Sequence, residues 1–170
     1  MSVLDVFDKR IVDLNMHVKD KKEAIYHLSH LLKEVGYIDD VDQFVEDVYI
    51  RESEGITGIG EHIAIPHGKS ESVTNIGIAI GKLNHMIEWE SLDKKPVDLI
   101  FLFAVSKDLY DKEHLKLLAE LAGRLGRSNT ITKLREMKTF EELIDAFKDE
   151  TNELSEDMEE FTEDIEVVIE

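Results

Sequence analysis

The sequence predicts an α/β domain (α+β in some schemes): a three-layer α/β/α arrangement in which a mixed β-sheet is flanked by helices. Three observations lead there. The run VDLIFLFAV, Val97–Val105, is apolar almost throughout, which suits a central strand covered on both faces. Segments with apolar residues at helical spacing lie before and after a cluster of strand-like runs. Such elements bury their apolar faces together by layering helices on a sheet. Finally, the short connections around Met86–Glu90 (MIEWE) point to antiparallel pairing there, which makes the sheet mixed.

Taken in order, Lys9–Leu14 (KRIVDL) reads as a first strand. Asp20 followed by Glu23 has capping-box spacing, and Ile25, Leu28, Leu31, Leu32 and Val35 then recur as one helical stripe closed by Gly36. A second helix starts at Asp40 or Asp42, carries Phe44, Val45 and Val48 inward, and ends near Arg51. Ile63–Ile65 is a short apolar strand, Ile76–Ile80 another, and Met86–Glu90 a weaker edge strand. Leu115, Leu118, Ala122 and Leu125 mark a helix from about Asp111 to Leu125, and Ser128–Met137 forms a short one. Thr139 with Glu142 is a second capping-box spacing and opens a helix running to about Lys148.

The 170 residues suit one main core. The formal charge is −18, with no basic stripe, which argues against nucleic acid as a partner. The excess is uneven: residues 149–170 hold 11 of the 38 acids and no Lys or Arg. We therefore divide the chain into a domain at 1–148 and an acidic C-terminal extension at 149–170. Leu154, Met158, Phe161 and Ile165 recur at helical spacing in that extension. Cysteine is absent, which excludes disulfides, thiolate zinc sites and a cysteine nucleophile within this sequence. There is no stretch of 18 apolar residues and no apolar segment at the start, so neither a membrane span nor a secretory signal is expected. A cytoplasmic location is the expectation.

The chemistry is concentrated in GITGIGEHIAIPHGKSES, Gly55–Ser72, which holds four glycines, one of two prolines and two histidines. Gly68-Lys69-Ser70 imitates the end of a nucleotide-binding P-loop, but the glycine that motif requires upstream falls on Ile63. Gly55, Gly58 and Gly60 are in the wrong order for a dinucleotide fingerprint. His62 and His67 are separated by a strand and a proline, and no HExxH pattern exists, so no metal site is expected. His17, His27, His30 and His85 read as surface or partly buried residues, and His62 as a neighbour that modulates the site at most. Met86–Trp89 reads as packing.

Pro66 has no N–H and forces an extended residue before it, so it is expected to end the strand, with Gly68 turning the chain past His67. A histidine placed there by a rigid scaffold suits an imidazole that accepts a phosphoryl group, because its unperturbed pKa of about 6.5 leaves free nucleophile near neutral pH. From spacing alone, a turn histidine without chemistry is an equal reading.

The surrounding residues tip that balance. Gly60-x-x-Ile63-Ala64-Ile65-Pro66-His67-Gly68, with Arg51-Glu52 and Thr57-Gly58-Ile59-Gly60 upstream, resembles the signature of the fructose/mannitol-type enzyme IIA domains of the bacterial sugar phosphotransferase system. Trp89, Asp93, Pro96-Val97 and His114-Leu115 follow in the family's order, and the resemblance runs from about residue 4 to residue 148. It implies a phosphotransferase that needs no cofactor. His67 matches the histidine that takes a phosphoryl group from the phosphocarrier HPr, on Nε2, and passes it to a cysteine of enzyme IIB. The membrane permease IIC is then served indirectly. His114 matches the second histidine of the site, Arg51 an arginine beside the phosphate, and Thr57 a polar residue of the same pocket. Two roles are implied: sugar transport, and a regulatory variant of the nitrogen type that signals through the same histidine. A docking face ringed by charge is expected around His67, with Ile56, Ile59 and Leu109 as its apolar candidates.

Overall fold

The computed structural model describes residues 2–107 and 112–148. The expectations for Leu109 and for the pattern Leu154 to Ile165 fall outside the described residues. The chain divides into two compact units, residues 6–111 and residues 1–5 with 112–170.

The elements follow the sequence closely. A short helix α1, Val3–Val6, precedes a 3₁₀ turn, Lys9–Ile11, and a two-residue strand β1, Val12–Asp13. The strand expected over Lys9–Leu14 is thus mostly a turn. Asp8 caps it, accepting a hydrogen bond from the backbone N–H of Arg10, which leaves only Val12 and Asp13 free to pair. Helix α2, Lys21–Val35, begins where the Asp20 carboxylate accepts the N–H of Glu23 at 2.9 Å. It ends at Gly36, whose φ of 95° closes the helix in a left-handed conformation that a side chain would strain. Helix α3, Val41–Glu54, is capped in the same way by Asp40. Each such cap contributes about 1 kcal/mol.

Strands β2 (Gly58–Gly60), β3 (Ile63–Ala64), β4 (His67–Ser70), β5 (Gly77–Ile87) and β6 (Val97–Ser106) complete the sheet. Its order is β1-β5-β6-β3-β2, with β4 also paired to β6. β1 runs parallel to β5, β5 antiparallel to β6, β3 and β4 parallel to β6, and β2 antiparallel to β3, so the sheet is mixed as expected. The separate strands anticipated at Ile76–Ile80 and Met86–Glu90 are instead one: β5 runs on to Ile87, and its register shifts between Lys82 and Ile87.

The pairing of β3 and β4 corrects the expectation for the motif. Ile63 and Ala64 align with Leu99 and Ile100, and His67 to Ser70 align with Phe103 to Ser106, so the offset is the same on both sides of Pro66. The proline interrupts one strand without ending it. Its missing N–H costs the pairing nothing that its carbonyl does not offset, since Pro66 O accepts the N–H of Phe103 at 2.9 Å. Gly68 therefore makes no turn. It is extended strand, and its role is close approach: a Cβ there would lie 2.6 Å from the Phe44 ring and 2.8 Å from Val48 Cγ2. The HGKS sequence is thus a β-strand against which α3 packs.

One face of the sheet (Ala64, Ala79, Ile100, Leu102, Ala104) is buried with Ile25, Leu28 and Leu32 of α2 and Phe44, Val45 and Val48 of α3. The alternate residues Leu99, Phe101, Phe103 and Val105 of β6 are also at most 1% exposed. The apolar run is thus explained by burial on both faces, each such side chain contributing about 1.5–3 kcal/mol.

In the other unit, α4 spans Lys112–Leu125, α5 Ser128–Glu136 and α6 Phe140–Phe147. Thr139 caps α6, accepting the N–H of Glu142 at 3.1 Å. Along α4 the buried residues are His114, Leu117, Leu118, Leu121, Ala122 and Leu125, a strict i, i+3, i+4 series, while Leu115 is 40% exposed. The expected stripe is therefore shifted off Leu115, and His114 shares the buried face. The described residues thus form a mixed six-stranded sheet and six α-helices, the α/β class that the sequence predicts.

Gly68→Ala is expected to lower stability by about 1–3 kcal/mol, because the Phe44 ring and Val48 must both move to admit one methyl group. Urea unfolding measures it, and an unchanged midpoint would show that α3 shifts freely over β4.

Candidate active site

Three of the four candidate residues, Arg51, Thr57 and His67, arise from short segments of the larger unit: the last turn of α3, the residues leading into β2, and the β3–β4 strand. Arg51 stands in that last turn and is half buried. Its Nη1 donates to the carbonyl of Gly55 at 3.3 Å, while its buried Nε finds no acceptor among the described residues. A guanidinium N–H shut away from water without a partner is unfavourable.

His67 opens β4 and is 6% exposed. Its Nδ1 lies 3.3 Å from the carbonyl oxygen of Ile65. A carbonyl only accepts, so Nδ1 carries the hydrogen of the neutral ring and Nε2 is left with its lone pair. Burial disfavours the charged imidazolium, and the nearby Arg51 cation disfavours it further. Together they outweigh the Ile65 hydrogen bond and bring the pKa down to about 4. The ring is neutral across the physiological range, an unprotonated nucleophile beside a cation.

Thr57 is fully buried just before β2. Its hydroxyl donates to Glu52 Oε1 at 2.6 Å and accepts the indole N–H of Trp89 at 2.9 Å. The single hydroxyl proton is therefore already committed to a carboxylate. Glu52 Oε2 in turn meets Lys21 Nζ at 2.7 Å, and Lys21 also meets Glu90 at 2.7 Å and lies 4.9 Å from the Trp89 ring centre. Burial alone would lower the Lys21 pKa, but the two carboxylates outweigh it and hold the ammonium above its ordinary value.

Arg51, Thr57 and His67 thus belong to one compact unit. His114 stands in the first turn of α4, in the other unit, 7% exposed, with Nδ1 unpartnered among the described residues. Three residues with a structural part here were given no role in the site by the sequence, although Glu52 and Trp89 stand in the motif. Lys21 read as the start of a helix, Glu52 as the neighbour of Arg51, and Trp89 as packing. Only Trp89 carried a signal, since a buried indole N–H requires an acceptor. Among the remaining histidines, His17, His30 and His85 are exposed, and His27 pairs with Asp13 at 2.8 Å. His62 adopts a φ of 64° and its Nδ1 lies 2.9 Å from the Pro96 carbonyl, which pins the β2–β3 turn. Of the apolar docking candidates, Ile56 is 39% exposed but Ile59 is 2% exposed, because β2 is paired and turned inward; Ile59 is core.

Residues 5–150 match the family described as phosphoenolpyruvate-dependent sugar phosphotransferase system, EIIA 2, and the chain belongs to that family. It is 35% identical over 137 residues to the 2-O-alpha-mannosyl-D-glycerate-specific EIIABC component of Escherichia coli K12, covering 80% of this chain and 21% of that protein. It is 34% identical over 145 residues to the fructose-specific EIIABC component of Bacillus subtilis 168, covering 85% of this chain and 23% of that protein. The chain thus spans about a fifth of the length of these two relatives. It is also 33% identical to the nitrogen regulatory protein of Escherichia coli K12 over 88% of this chain and 91% of that one. Among solved structures, the nitrogen regulatory protein IIA-Ntr of Neisseria meningitidis superposes with a TM-score of 0.77 at 27% identity, covering 85% and 98% of the two chains. The IIA mannitol structure from Escherichia coli shares the fold, with a TM-score of 0.69 at 21% identity over 83% and 98%.

Because the folded His67 titrates near pH 4 and an unfolded one near 6.5, only the unfolded chain holds a proton there between those values. His67 therefore contributes a loss of stability as pH falls from about 6.5 to about 4, complete below that. A ring NMR titration should show His67 unchanged down to about pH 5, and Arg51→Met should raise its midpoint. Titration near 6.5 in the unmodified chain would contradict a ring buried beside Arg51.

Proposed function

We propose that this chain is the IIA component of a sugar phosphotransferase system, carrying a phosphoryl group on Nε2 of His67. The observation that carries the reading is the His67 ring itself: buried, neutral, fixed with its Nδ1 hydrogen toward Ile65 O, and set in the field of Arg51. The Nε2 lone pair forms a new P–N bond as the P–N bond of phospho-HPr breaks, and the donor imidazole, already protonated on its other ring nitrogen, leaves as a neutral ring with the electron pair. In the onward step a IIB cysteine thiolate attacks phosphorus and His67 leaves with its lone pair restored. The phosphohistidine carries nearly two negative charges. Arg51 supplies a charge-assisted donor to it, for which its Nε, without an acceptor among the described residues, is suited. His114 is assigned to phosphate stabilisation by its place in the family motif, and its buried Nδ1, without a partner among the described residues, supports that role. Thr57 serves the same site through its position rather than by donating to phosphate.

The family match over residues 5–150 supports taking 1–148 as the phosphotransfer domain and 149–170 as an appended extension. No helix among the described residues is long and apolar enough to cross a membrane. The reading makes the chain a partner of HPr, of IIB and, indirectly, of the permease IIC, with the cytoplasm as its proposed location. Ile56 is an exposed apolar residue for their docking. A second reading, regulation of the nitrogen type through the same histidine, is favoured by the match that spans 91% of the Escherichia coli nitrogen regulatory protein.

Radiolabelled phosphoenolpyruvate with enzyme I and HPr tests the assignment. We expect an acid-labile, base-stable phosphate that His67→Ala abolishes; a label surviving that substitution overturns it. Adding a IIB domain separates the two roles, since transfer to its cysteine supports transport and a phosphoprotein inert to IIB supports regulation. His114→Ala is expected to leave acceptance measurable and slow the onward step, and transfer at the unmodified rate would remove His114 from the chemistry.

A further inference from the structure

Lys21 and Glu52 form an ion pair whose side chains are only 18% and 5% exposed. Desolvation of two charges cancels much of their attraction, so such a pair is weak support for stability compared with apolar side chains of similar size. Its hydrogen bonds lead instead toward the nucleophile. Glu52, clamped by Lys21 at one oxygen, uses the other to take the Thr57 hydroxyl proton at 2.6 Å, and Trp89 donates to the same hydroxyl. Thr57 is thereby fixed on its side-chain side. On its main-chain side, Thr57 O accepts the N–H of Ile65 at 2.9 Å, and the carbonyl of Ile65 is the group that faces His67 Nδ1 at 3.3 Å. Glu52 also follows Arg51 in the last turn of α3, and Arg51 reaches Gly55 O within the same 51–57 segment. Both the cation and the carbonyl that orients the nucleophile hang from a segment held by one carboxylate.

We propose that Glu52, held by Lys21 and acting through Thr57 and the Ile65 peptide, is a positioning residue that keeps the His67 ring in its Nδ1–H tautomer with Nε2 available to phosphorus. Such control matters because a neutral imidazole with the opposite tautomer presents N–H, and no lone pair, at Nε2. It touches no reacting atom. This role rests on His67 being the phosphoryl acceptor.

The full chain labelled with ¹⁵N-histidine tests it with two readouts, the His67 tautomer by ¹⁵N–¹H correlation and the kinetics of phosphoryl acceptance from phospho-HPr. In Glu52→Ala and Thr57→Val we expect a mixed His67 tautomer and a maximal rate lower by about tenfold to a hundredfold, with KM for phospho-HPr little changed. Thr57→Ser should restore both. Should Glu52→Ala fail to fold, the double variant Lys21→Met/Glu52→Met removes both charges together and is expected to fold with the tautomer still mixed. A pure Nδ1–H tautomer and unmodified maximal rate in folded Glu52→Ala, or in the double variant, overturns the proposal. The tautomer signal does not depend on phosphoryl transfer, so failure of the His67 assignment, seen as labelling of His67→Ala, is distinguishable from failure of the relay.

Discussion

The alignment of the broken strand Ile63–Ser70 along β6 is the constraint on which the site depends. Two residues pair before Pro66 and four pair after it, in one register. Because side chains alternate along a strand, a slip of one residue would move His67 to the opposite face. The β6 side chains along it are buried on both faces. The proline is accommodated because its carbonyl still accepts from Phe103, and Gly68 because nothing larger than hydrogen fits under Phe44.

From that frame the electrostatics follow. His67, at the start of β4, is 6% exposed, so its charged form is disfavoured by burial before any neighbour is considered. Arg51 adds to this from the helix packed over the strand. The same two features that make the imidazole hard to protonate make it a ready nucleophile, and the cation that repels a proton attracts a phosphate. In the proposed function, one arrangement thus serves both the free and the phosphorylated ring.

The segment between α3 and β2 joins the helix to the sheet at the site. Its side-chain links include a carboxylate, a hydroxyl and an indole N–H, each satisfied by the next. Buried polar groups that are completely paired in this way specify one geometry, because any alternative leaves a donor or a carboxylate without a partner. Lys21, at the start of α2, brings a second helix into the same set of bonds.

Local chemistry was legible in the sequence wherever a short-range rule decides the outcome. The caps at Asp20, Asp40 and Thr139, the closure at Gly36, the apolar run of β6 and the IAIPHG motif are all choices made within a few residues. What the sequence left open depends on distant contacts. Pro66 read as a stop because its missing N–H is a local fact, whereas β6 carries the pairing across it. Gly68 read as a turn because glycine's freedom is local, whereas the contact with Phe44 joins residues far apart in the chain. Lys21, Glu52 and Trp89 gave no joint signal because they come from two helices and the segment after β5, far apart in sequence. Residue type and spacing determined that a phosphoryl-accepting histidine was a candidate. Only the tertiary structure decided how that ring is buried and which nitrogen bears its hydrogen, since those are set by packing rather than by neighbours in sequence.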